Sequence, residues 1–269
     1  MRLAICNELF QGWSPARLFS RARALGYQGI EIAPFTLAES VERISRDERK
    51  RLRACAEEAG VAIVGTHWLL VSPEGLSVSS PEKETRMRTA SYLASLVDFT
   101  ADLGGSVMVF GSPKQRAIPD GDSRQAVEER LAEVLAPCLR RAMERSVSFC
   151  LEPLSRKETN FLNTADEAIS FIRRVGHPHL RLALDVKAMC DEGRPLSDII
   201  SRSAEFVSHV HVNDPNLSYP GSGTVDFGPV ISALRHSGYD GWLSVEVFDF
   251  RLDPETIARN SVVYLRRHL

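Results

Sequence analysis

LRLALDVKAMCDEGRPLSDIISRSAEFVSHVHVND, residues 180–214, reads as strand, helix, strand. LRLALD is almost continuously apolar, as a strand buried on both faces of a parallel sheet is. PLSDIISRS follows as a helical stretch, and FVSHVHVND returns to a β pattern. In that second strand alternation turns His209 and His211 to one face and Val210 and Val212 to the other. The two strands close on polar groups: Asp185 ends the first, and His211, Asn213 and Asp214 end the second.

The same unit repeats along the whole chain. RLAIC (2–6), GIEIA (29–33), VAIVGT (61–66), SVMVFG (106–111), VSFCLEP (147–153), LRLALD (180–185), FVSHVHVND (206–214) and WLSVEVF (242–248) are each followed by a helical stretch. Gly26, Gly60, Gly104, Gly176 and Gly238 stand where left-handed caps would end helices. Eight β/α pairs in 269 residues predict a (β/α)8 TIM barrel, α/β in class, as one domain over residues 1–269. A doubly wound open sheet is the runner-up, but no GxGxxG or P-loop follows the first strand. The longest insertions, LLVSPEGLSVSSPEKE and SPKQRAIPDGD, follow strands three and four and would roof the catalytic face.

Composition excludes more than it identifies. Hydrophobic residues make up 43%, charged residues 25%, and the net charge is −2. Nothing here favours nucleic acid or an acidic membrane as partner. No apolar run reaches membrane-spanning length, and MRLAICNELF lacks the order of a signal peptide. Five scattered cysteines without a CxxC pair predict a reduced, cytoplasmic protein. The sequence is compatible with a homo-oligomer.

A barrel presents its chemistry at the C-terminal ends of its strands. The last four strands end on Glu152, Asp185, His211 and Glu246. Singly, each could be a helix cap or a surface group. Four in succession, several closing apolar runs, describe a hard oxygen–nitrogen site for one divalent metal ion. Mn²⁺ is the first expectation, with Mg²⁺, Co²⁺, Fe²⁺ and Zn²⁺ as alternatives. His209, two residues deeper, reads as a hydrogen-bonding group inside the barrel.

LEPLSRKETNFLNT (151–164), LALDVKAM (182–189), HVHVNDPN (209–216) with PGSGTVDF (220–227), and GWLSVEVF (241–248) resemble the xylose isomerase-like TIM barrels. Within these the chain is similar to the sugar isomerase/epimerase group that includes ketose 3-epimerases and hydroxypyruvate isomerases. The resemblance spans essentially the whole chain. It implies a cation held by Glu152, Asp185, His211 and Glu246, with Glu152 and Glu246 exchanging the substrate proton from opposite faces. It also implies that Glu158 touches a small-molecule sugar. Such chemistry removes a weakly acidic proton beside a carbonyl, so it needs an oriented base and positive charge for the enediolate oxygens. Two departures stand out. The family's histidine three residues after the strand-six aspartate is Ala188, preceded by Lys187, and the arginine before PGxG is absent from Asn216–Pro220. Both point to a modified, oxidised or anionic sugar.

Further candidates for the pocket are His67 and Trp68 after strand three, Lys114 and Arg116 after strand four, Lys187, and Asn213 at the rim. Lys114 and Arg116 could bind a phosphate or carboxylate, although a solvated basic turn explains them equally well. Glu8 and Glu31 give weaker signals. The expected activity is a metal-dependent sugar isomerase or epimerase acting on a ketose, keto-sugar or sugar phosphate. The alternatives are a lyase or dehydratase on an oxidised sugar, an apurinic-site endonuclease, which would need more histidines, and a non-catalytic sugar-binding barrel.

Overall fold

The computed structural model describes residues 1–269. Eight parallel strands close in chain order: β1 (Arg2–Cys6), β2 (Gly29–Ile32), β3 (Ala62–Thr66), β4 (Val107–Phe110), β5 (Ser148–Leu151), β6 (Leu180–Asp185), β7 (Val207–Val212) and β8 (Trp242–Val245). β8 pairs back onto β1, so no strand edge is left open. The helices are α1 (Pro15–Leu25), α2 (Arg46–Glu58), α3 (Lys83–Asp102), α4 (Pro113–Arg116), α5 (Arg124–Glu144), α6 (Ala165–Val175), α7 (Val186–Met189), α8 (Leu196–Ser203), α9 (Phe227–His236) and α10 (Pro254–Leu265). None is long and apolar enough to cross a membrane.

Eight of these helices are the one-per-strand set that the sequence pattern predicts. α4 and α7 are additional single turns close behind β4 and β6. Pro113 starts the first, and Asp185 caps the second by accepting a hydrogen bond from Ala188 N at 2.6 Å. Gly26 and Gly176 close α1 and α6 at φ of 102° and 66°, in the left-handed region where a side chain would be strained.

Alternation along the strands sorts the core. Ile30, Ile32, Val210 and Val212 pack outward into the apolar layer under the helices. Inward, Trp242 fills the floor beside Ala4 and Val64. Gly29 is required there, because a Cβ would lie 2.6 Å from Val64 Cγ2. Above this floor the interior turns polar, with Glu31, His209 and Ser244 all fully buried. The register shifts twice, at Ile30/Glu31 between β2 and β3 and at Leu182/Ala183 between β6 and β7. Such irregularities re-aim side chains and gather near active sites.

Candidate active site

Four of the strand-end residues meet. Glu152 and Glu246 lie one residue beyond β5 and β8, Asp185 ends β6, and His211 is the penultimate residue of β7. One donor atom from each lies within 4.8 Å of the others, and all four residues are buried. Nδ1 of His211 sits 2.7 Å from Glu152 Oε1 and 3.2 Å from Glu246 Oε2. Asn213 Nδ2 donates to Asp185 Oδ2 at 2.6 Å. Gly111 makes room for the site, because a Cβ there would lie 2.5 Å from Glu152 Oε2.

The electrostatics describe a cluster short of positive charge. Burial lifts the Asp185 carboxyl to about 7; Lys187 pulls against this while Glu152 and Glu246 add to it. Burial also opposes ionisation of Glu246, but the neighbouring His211 outweighs it and holds that carboxyl below its usual value. Three carboxylates and one imidazole, desolvated together, are the donor set of a hard divalent cation, and that group fits these residues.

A cavity of about 350 Å³ opens onto the cluster. His67, Trp68, Lys114, Glu158 and Lys187 all line it, as the sequence reading expected. Trp68 adopts a left-handed φ of 52°, and its indole Nε1 donates to Glu246 Oε1 at 3.1 Å. His67 Nε2 donates to Glu8 Oε2 at 2.9 Å; burial opposes its protonation, but Glu8, Glu31 and Glu246 lift it to about 9. Lys187 Nζ bonds to Glu158 Oε1 at 2.8 Å and lies 4.8 Å from the centre of the Phe248 ring. Another cavity, about 390 Å³, opens among Ser106, Ser146 and Tyr239, but its lining has one carboxylate, Asp240, and no imidazole or cation.

Two expected substrate contacts are corrected. Arg116 is fully buried and outside the cavity lining, and it binds the backbone instead. Its Nη1 donates to the carbonyls of Glu152 (2.7 Å) and Phe110 (3.3 Å), and its Nη2 to that of Leu162 (3.3 Å). A guanidinium buried behind the cavity wall and tied to three carbonyls is not presented to a phosphate. Asn213 is fully buried as well and is not at the rim; its carboxamide joins Asp185 to the Lys187 amide, which donates to Oδ1 at 2.9 Å. Asp214, expected beside it at the rim, accepts from the Gly221 and Val225 amides and shapes the loop after β7. Arg116→Met is expected to destabilise the fold by about 3 kcal/mol, because three carbonyls each lose one charged donor. That lowers the melting temperature by roughly 6–12 °C in a scan of the purified protein.

The least legible residue is Glu31. Its Oε2 accepts from His209 Nε2 at 2.8 Å and its Oε1 from His211 Nε2 at 3.2 Å. The sequence signal was a carboxylate between two isoleucines in a strand buried on both faces. His209 has the internal hydrogen-bonding role expected of it.

Comparison with known proteins gives the family. The family described as xylose isomerase-like TIM barrel matches residues 19–268. The chain belongs to that family. This xylose isomerase-like barrel is 27% identical to a D-psicose 3-epimerase of Ruminiclostridium cellulolyticum, over 83% of this chain and 75% of that protein. It is 24% identical to a 3-dehydro-D-guloside 4-epimerase of Escherichia coli, over 99% of both chains. A crystal structure of D-psicose 3-epimerase with D-tagatose, from Clostridium cellulolyticum H10, superposes with a TM-score of 0.88 at 21% identity, covering 100% of this chain and 99% of that one. At that identity the structural likeness speaks for the fold alone.

Proposed function

We propose that this chain is a divalent-metal-dependent sugar epimerase that moves a proton on and off a carbon next to a carbonyl. One observation carries the reading: Glu152 and Glu246, from strands β5 and β8, meet at Nδ1 of His211 on the wall of one cavity. Relatives named as epimerases of ketoses and of a dehydro-sugar glycoside support it. Glu152, Asp185, His211 and Glu246 would hold the ion, with Mn²⁺ the first choice. The bound ion would supply Lewis-acid charge for a carbonyl oxygen and its neighbouring hydroxyl.

The chain's own groups do the rest. Glu246 is oriented by the Trp68 indole and Glu152 by the space that Gly111 leaves. One glutamate takes the proton from one face of the sugar and the other returns a proton to the opposite face. Trp68 and Phe248 give the cavity aromatic walls that exclude water. The Lys187–Glu158 pair and Lys114 offer polar contacts to hydroxyls or to an anionic substituent. Ala188 and the exposed Leu217 stand in the stretches where a histidine and an arginine were expected, which supports an oxidised or substituted keto-sugar over a simple ketose. All five cysteines are free, in keeping with a cytoplasmic setting.

Mn²⁺-loaded protein in deuterated water is expected to place deuterium beside the carbonyl of at least one ketose, keto-sugar or sugar phosphate, read by NMR. An inverted product marks epimerisation, and an unsaturated one marks elimination. Absence of exchange across all three classes, with the metal site filled, would overturn the reading. Gly111→Ala is expected to lower kcat/KM on the order of 100-fold, because the new methyl group displaces Glu152. Steady-state kinetics, with circular dichroism to verify the fold, check this.

A further inference from the structure

Glu31 lies in the barrel interior without solvent contact, and every charged partner of its carboxylate is an imidazole: His209, His211 and, at 3.6 Å, His67 Nδ1. An ionised carboxylate only accepts hydrogen bonds, so a nitrogen held against it must carry the proton. A neutral imidazole has one N–H. With no cation bound, the same rule gives Nδ1, which faces Glu152 and Glu246, a proton as well; in the neutral ring that a cation there would bind, Nε2 keeps its proton on Glu31 and Nδ1 offers its lone pair. A lone pair facing two anions is unfavourable until a cation lies among them. His209 holds the other oxygen of Glu31, so the carboxylate cannot rotate away. The register shift at Ile30/Glu31 and the one at Leu182/Ala183, where β7 begins its approach to His209, both fall on this network.

We propose that Glu31 is the positioning residue of the site: by accepting the Nε2 proton of His211, with His209 as its anchor, it presents His211 Nδ1 to the metal. This rests on the metal reading given above. A carboxylate standing behind a ligating histidine fixes its tautomer and ring orientation, and its loss costs about 10–100-fold in metal affinity. In Glu31→Gln the amide keeps one acceptor oxygen but turns an NH₂ toward one of the two histidines. His211 or His209 must then reverse its tautomer or lose its bond.

Two measurements test this. Mn²⁺ titrations followed by electron paramagnetic resonance are expected to show Glu31→Gln binding about 10–100-fold more weakly than wild type, with far-ultraviolet circular dichroism unchanged. Independently of any variant, long-range ¹H–¹⁵N spectra of the wild-type protein loaded with Mg²⁺ are expected to show His211 protonated at Nε2 and not at Nδ1. A folded Glu31→Gln with wild-type Mn²⁺ affinity overturns the inference, as does a proton on Nδ1 of His211 in the loaded protein. Failure of the wild-type protein itself to take up Mn²⁺ overturns the metal reading, and this inference with it, so the two failures are told apart by whether the wild-type protein binds.

Discussion

Glu152→Gln and Glu246→Gln are each expected to cut net turnover by on the order of 10³-fold, the scale of losing a positioned proton-transfer group. Glutamine matches glutamate in size but cannot accept the substrate proton. Epimerisation needs both faces, so neither variant completes the reaction. The remaining glutamate can still exchange hydrogen with deuterated water on its own face, so one variant is expected to wash label into unreacted substrate. Because both residues are also proposed as metal ligands, bound metal is measured by mass spectrometry beside the kinetics. Near wild-type turnover by either variant with the site filled would reduce that glutamate to a ligand. The proton would then have to be carried by His67, which touches the other oxygen of Glu246 at 4.0 Å, or by Lys187.

His211→Ala is expected to weaken Mn²⁺ binding by more than about 100-fold, beyond the cost of losing a group that only supports a ligand. His211 is fully buried and is the only nitrogen in the four-residue cluster. Removing it leaves three carboxylates facing one another, and the Glu31 carboxylate loses one of its two close imidazole donors. Calorimetric titration checks the affinity. Wild-type binding by a protein lacking both His211 and Asp185 would remove the site.

Much of this was legible because strand ends in a barrel point to one place. Glu152, Asp185, His211 and Glu246 are scattered over 95 residues of sequence, yet each closes a β run, and closure of the barrel brings them together. What lay deeper was harder to read. Period-two alternation says that Glu31 and Ile30 face opposite ways, but not which of them faces the barrel axis. A shift of register at that step makes the simple count unreliable. Arg116 and Lys114 looked equivalent as two basic residues in a short loop. The turn of α4 sends one inward to three carbonyls and leaves the other on the cavity wall. Asn213 looked like a rim residue because it follows the last strand residue, Val212; its amide turns inward because Asp185 and the Lys187 amide both need a partner there.

The anchoring of Arg116 has a consequence for how such a protein diverges. Lys114 and Gln115 touch the cavity, while their neighbour fastens β4, β5 and the segment at Leu162 to one another. Replacements at 114 or 115 alter what the wall offers a sugar without loosening the backbone that carries Glu152. Replacement at 116 does the reverse. Tolerance to change and intolerance of it therefore sit side by side in a single turn of helix. A lineage can alter its choice of sugar through that turn one substitution at a time, while the proton chemistry stays where it was.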